Sequence, residues 1–164
     1  MRSINLAKAM TAALAASTLA ASPAVATAPQ GLSVSPVVNG QFGDISVLPN
    51  DKTGKWAMLL KTHDATDVGA DQITLDGGGS TGWHSHPAAV FVTVVHGSII
   101  WYDGTNRVCP GQHYSTGQSF MEDAFVIHNA VNASGSSQAR FIAVRINPTG
   151  VPFVNDEAKP TNCN

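Results

Sequence analysis

GGSTGWHSHPAAVFVTVVHG, residues 78–97, sets a histidine pair between a glycine-rich turn and an apolar run that closes on Gly97. In an extended segment, residues i and i+2 project to the same side, so His84 and His86 can reach one ion together. Histidine pairs of this spacing are common on surfaces, and their weight comes from what surrounds them. The run at 90–95 is apolar on both faces except for Thr93, as in a strand buried on both sides or a barrel strand under a second sheet. The glycines at 77–79 precede no helix, so they read as a turn and not as a phosphate cradle.

Outward from this stretch, short apolar runs recur at 45–48, 56–61, 71–75, 98–102, 119–121, 126–128 and 141–146. Turn formers separate them: Asn50-Asp51, His96-Gly97, Asp103-Gly104, Pro110-Gly111 and Gly135-Ser136. Short strands at such spacing predict a sandwich or a barrel. Beyond the N-terminal segment no window carries a helical period, and no internal repeat is present. In 98–103, Ile99 and Trp101 share a face with Asp103, and Ile100 and Tyr102 take the other.

A third histidine, His128, follows the apolar residues Phe125, Val126 and Ile127. With it, two motifs take shape. Gly78, His84, His86 and Gly97 fall at the spacings of the first cupin motif, and Gly117, His128 and Asn132 at those of the second. The central two fifths of the chain therefore resembles the cupin superfamily, of the small single-domain type. The resemblance implies an all-β, cupin-like double-stranded β-helix (jelly-roll) barrel. It also implies one divalent metal ion held by His84, His86 and His128, with Fe, Zn, Mn, Ni and Cu all compatible with three imidazoles.

The chain departs from the motifs at three places. Family metal sites usually add a glutamate after the histidine pair, and here that position is Val90, or Phe91 with the longer gap. Asp123 stands for the second motif's proline and Phe125 for its glycine, which puts the turn geometry in question because a glycine takes positive φ at no steric cost. Three readings of the missing glutamate stay open. The centre holds metal with three histidines alone, as in some cupin-like dioxygenases. Or Glu122, one of two glutamates in the chain, completes it as a fourth ligand. Or the site is degenerate and binds metal weakly or not at all.

With three neutral ligands a dication keeps its full charge and attracts an enolate, a carboxylate or hydroxide. The resemblance implies a non-haem dioxygenase acting on a small enolic or aromatic substrate. The alternatives are a non-catalytic small-molecule or metal-binding module, and a metal-dependent isomerase or lyase. Val92, Val94, Ile99, Trp101, Val126 and Phe141 are either apolar walls for such a ligand or plain barrel core. His63 and His113 read as surface loop residues, and His96 as a hairpin residue before Gly97. Trp83 points away from the histidine pair by parity, toward packing or the rim of a pocket. Neither Tyr102 nor Tyr114 is required near the metal by its spacing.

The ends of the chain predict a destination. Arg2 and Lys8 precede an uncharged, small-residue stretch at 9–21, too short to span a membrane, and Ala24-Val25-Ala26 offers a cleavage site. This divides the 164 residues into a signal peptide at 1–26, an irregular leader with at most one edge strand at 27–43, the barrel at 44–150 and a C-terminal tail at 151–164. Export, to the periplasm or beyond, follows as the expectation, with no membrane association after processing. The processed chain carries seven basic against eleven acidic residues and no basic run, which argues against nucleic-acid binding. A small-molecule ligand or substrate is the expected partner, and pairing into a homodimer is open. Cys109 and Cys163 are the only cysteines, and export permits them to pair. The bond would close a loop of about 55 residues, stabilise the fold by about 4 kcal/mol and tie the tail to the barrel; two free thiols are the alternative.

Overall fold

The computed structural model describes residues 26–48 and 53–163. The expected signal segment lies outside them except for Ala26, which bridges Ala158. Twelve strands and no helix occur among the described residues. They are β1 (Gln30–Phe42), β2 (Ser46–Val47), β3 (Leu60–Lys61), β4 (Thr66–Ser80), β5 (His84–Ser85), β6 (Val90–His96), β7 (Ser98–Asp103), β8 (Gly111–Ser115), β9 (Ser119–Glu122), β10 (His128–Asn132), β11 (Ala139–Pro148) and β12 (Asn155–Asp156).

β2 and β3 pair apart from the rest. The other ten strands form one sheet that folds over itself into a nearly closed, all-β jelly-roll barrel. One side runs β1-β4-β11-β6-β9 and the other β12-β5-β10-β7-β8. β4 joins them: residues 66–75 pair with β1 and β11, and Ser80 at its far end pairs with Val131 of β10.

Alternation along the strands fills the space between the sides. Leu75 from β4, Val90, Val92 and Val94 from β6, Ile99 and Trp101 from β7, and Phe141 from β11 form one buried cluster. Each fully buried aliphatic side chain there contributes about 1.5–3 kcal/mol. The apolar run of β6 is buried on one face only; Phe91 is 49% and Val95 44% exposed on the other. The two-sided burial expected from the sequence is thus corrected, because among the described residues the outer face is left largely exposed.

The leader is more regular than its composition predicts. Residues 30–42 form a 13-residue strand along β4, with a register shift beside Pro36 where the ladder loses a donor. Two motif residues have structural roles. Gly97 turns β6 into β7 at φ +71°, and a Cβ there would meet the Gln138 carbonyl at 2.9 Å. The buried Asn132 side-chain amide lies within 3.1 Å of the carbonyls of Leu75, Asp76 and Ser137, tying β10 to the β4 bend. Cys109 and Cys163 form the expected disulfide, and Trp83 packs against it with Tyr102 and Ile127.

Candidate metal centre

β5 and β10 bring the three histidines together, since His84 and His128 are direct cross-strand partners. His86 follows one residue beyond β5, and its carbonyl accepts a hydrogen bond from the Phe125 N–H at 2.8 Å. That contact explains the altered second motif. Phe125, where the family has glycine, still takes the left-handed conformation at φ +60°. The turn keeps its shape and carries the strain of a side chain there.

Each histidine is buried, and each has its Nδ1 within 2.9 Å of a backbone carbonyl: Gly82 for His84, Phe153 for His86 and Val126 for His128. A carbonyl only accepts, so each Nδ1 carries a proton and each Nε2 is left as the ligating atom. One ligand atom from each ring lies within 4.8 Å of the others. His128 Nε2 is buried and has no hydrogen-bond partner. A sequestered lone pair facing two other imidazoles fits a metal ion.

Glu122 stands beside this triad. Its carboxylate lies 3.4 Å from His86 Nε2 and 3.3 Å from His128 Nε2, and accepts a bond from Trp101 Nε1 at 3.1 Å. Its position answers the puzzle of Val90: in the β6–β9 register, Val90 and Glu122 are directly opposite, and both are buried. A carboxylate thus stands on the neighbouring strand, on the same face as Val90.

The electrostatics of the cluster follow from burial and proximity. Desolvation, reinforced by the neighbouring His128, lowers the His84 pKa to about 4, so its ring is neutral and available to a cation. Burial alone would raise Glu122, but contacts with His128 and His86 outweigh it and hold the carboxyl well below the usual carboxylate range. Burial would likewise lower His128, and the Glu122 carboxylate outweighs it and raises the imidazole.

A cavity of about 170 Å³ opens onto this cluster. Leu32, Ile73, Ala130, Phe141, Ala143 and Phe153 supply its apolar walls, with His84, His86 and Glu122 at one end. Of the walls expected from the sequence only Phe141 lines it; Val92, Val94, Ile99 and Trp101 are core. Asp71, also on the lining, accepts a hydrogen bond from Arg145 Nε at 2.8 Å. Arg145 lies across Gly69, where a Cβ would come within 2.8 Å of its guanidinium carbon. A larger cavity of about 380 Å³ lies elsewhere, beneath Leu60, Phe91 and Ile146, with His63 as its one titratable lining residue.

The remaining histidines stay on the surface. His113 is on β8 and not in a loop; this polar edge strand pairs only with β7, so its sequence lacks the apolar alternation of a core strand. Tyr102 packs near the disulfide and Tyr114 stacks on Phe120, away from the cavity lining. The sequence offered no sign of Phe153, because its backbone carbonyl is what reaches His86. The inward parity of Asp71 and Arg145 was readable only once β4 and β11 were in register.

Residues 72–145 match the model of the cupin domain. No curated protein sequence matches the chain. Among solved structures, a cupin-like protein from Thermotoga maritima superposes with a TM-score of 0.52 at 15% identity, over 79% of this chain and 78% of that one. Peruvianin-I, a cysteine peptidase from Thevetia peruviana latex, gives 0.52 at 20% identity, over 79% and 69%. A recombinant oxalate oxidase in complex with glycolate gives 0.50 at 16% identity, over 78% of this chain and 56% of that one.

Proposed function

We propose that this chain, whose residues 72–145 match the cupin domain, is a member of the cupin superfamily and an exported metalloprotein that oxidises a small enolic or aromatic substrate with dioxygen. One divalent ion is held by Nε2 of His84, His86 and His128. Glu122 is the fourth ligand and lowers the net charge of a bound dication to +1. The observation that carries the reading is the convergence of three tautomer-fixed imidazoles, one with a fully buried Nε2 that has no hydrogen-bond partner. When bound, the ion supplies Lewis acidity and non-haem oxidation chemistry next to the cavity.

The chain's own groups do the rest. Trp101 Nε1 orients the Glu122 carboxylate. Phe141, Ile73 and Phe153 exclude water from the apolar part of the ligand. An anionic enolate or carboxylate oxygen complements the remaining positive charge, a ligand chemistry shared with the oxalate oxidase neighbour and its glycolate. Cysteine peptidase chemistry, as in Peruvianin-I, has no nucleophile here, because both cysteines are in the disulfide. That bond and the N-terminal segment support export.

A non-catalytic binding module is the second reading. It is favoured by one observation: Asp71, the other buried carboxylate on the cavity lining, is committed to Arg145 and is not free to act as a base. Oxygen uptake separates the two. Protein loaded in turn with Fe(II), Mn(II), Ni(II), Cu(II) and Zn(II) is presented with enolic, phenolic and dicarboxylate substrates. Uptake that depends on both metal and substrate is expected. Stoichiometric metal without uptake on any of them would overturn the oxidase reading and favour the binding module.

A further inference from the structure

The three imidazoles are not supported alike. His84 and His128 donate to carbonyls two residues away on their own segments. His86 donates to Phe153, 67 residues further along the chain. The barrel therefore fixes two of the rings by itself, and the third depends on the C-terminal tail.

That tail is a strap fastened at several points. Asn147 Nδ2 donates to the Val151 carbonyl at 2.8 Å. The Phe153 ring stacks on His86 with centroids 4.4 Å apart, and the Arg145 guanidinium lies 5.2 Å from the same ring. β12 then pairs with β5, matching Asn155 to Ser85 and Asp156 to His84. The Glu157 N–H donates to the Trp83 carbonyl at 2.9 Å, and the Ser85 hydroxyl donates to the Glu157 carboxylate at 2.9 Å. Cys163 ends the strap in the disulfide to Cys109, packed against Trp83.

Resting on the metalloprotein reading above, we propose that this strap is the outer support of the metal centre: the Phe153 carbonyl fixes the tautomer of His86, and the Cys109–Cys163 disulfide holds that carbonyl in place, so that high metal affinity requires the oxidised chain. Forming the bond takes two electrons and two protons from the two thiols, and a disulfide-bearing oxidant of an oxidising compartment accepts them. Breaking it returns both. Phe153 is a positioning residue in this scheme. The chain completes its metal site only after the disulfide has closed, which ties loading to the compartment in which the chain is oxidised.

The test compares the full chain with Cys109→Ser/Cys163→Ser. In the metal-free proteins, imidazole ¹⁵N spectra report the tautomer of each ring; Co(II) titration then reports affinity. The double variant is expected to release Nδ1–H at His86 alone, with His84 and His128 unchanged, and to bind Co(II) about 10–100-fold more weakly. Phe153→Gly, which keeps the disulfide but frees the carbonyl and removes the ring stack, shifts the same two readouts the same way; if the cysteine variant does not fold, the wild-type chain with its disulfide reduced takes that variant's place in both readouts. Folded variants with the His86 tautomer and Co(II) affinity of the wild type would overturn the proposal. A wild-type chain that shows the fixed tautomer but takes up no Co(II) would overturn the metal reading itself and leave the strap's hold on His86 standing.

Discussion

At the scale of single residues, the centre depends on which strand carries a carboxylate. Val90 is fully buried and directly opposite Glu122. Side chains in such pairs start about 4.5–5.5 Å apart at Cβ and face the same way, so either position can aim a carboxylate at the imidazoles. Glu122→Gln is expected to weaken metal binding at least tenfold, since it removes the one negative charge among the ligands. Val90→Glu combined with Glu122→Val, which moves the carboxylate and roughly conserves volume, is expected to regain most of that loss. Isothermal titration with Mn(II) measures both; a folded swap variant no better than Glu122→Gln would contradict equivalence of the two positions. The sequence pointed to the three histidines through their spacing. It offered Glu122 only through nearness to the second motif, because its real relation to Val90 is a register between β6 and β9 that no local pattern encodes. Phe153 was beyond reach of the sequence altogether, since any residue type supplies a carbonyl.

At the scale of elements, the strands that line the core were readable and those at the edges were not. β6, β7 and β11 alternate apolar residues toward the buried cluster, and their signal is the period of two. β1 is exposed along almost its whole length and is held by its ladder to β4, so a sequence with Pro36, Gly40 and two serines looked irregular. The apolar residues at 126–127 looked like the start of a strand, yet β10 begins at His128, because the preceding residues form the turn that reaches back to His86. That turn stores strain. Phe125 is 69% exposed, so its side chain contributes little burial, while its left-handed backbone costs about 1–2 kcal/mol relative to glycine. Glycine also loses more freedom on folding, by roughly 0.5–1 kcal/mol. Phe125→Gly is therefore expected to stabilise the fold by up to about 1 kcal/mol in urea denaturation, with metal affinity unchanged. A clear destabilisation would show that the Phe125 ring has a packing role the turn geometry does not explain.

For the molecule as a whole, the barrel and the tail divide the work. The barrel sets His84 and His128 across a strand pair and supplies most of the apolar cavity's walls; the tail, closed by Cys109–Cys163, covers His86. The two motifs made the barrel legible because their glycines, histidines and asparagine each answer to a fixed backbone need, as Gly97 and Asn132 show. The missing glutamate left three accounts of the centre open in the sequence; the structure places the Glu122 carboxylate 3.4 and 3.3 Å from two of the histidines, and its role as a fourth ligand is the proposal. The central claim is that these side chains hold one ion. Its most direct test is the metal content of the purified, oxidised chain after loading and desalting, beside His128→Ala, which removes the imidazole whose buried Nε2 has no hydrogen-bond partner. The account predicts one divalent ion per wild-type chain and none retained by the folded variant. Wild-type protein free of metal under every loading condition, or a variant that retains as much as the wild type, would contradict it.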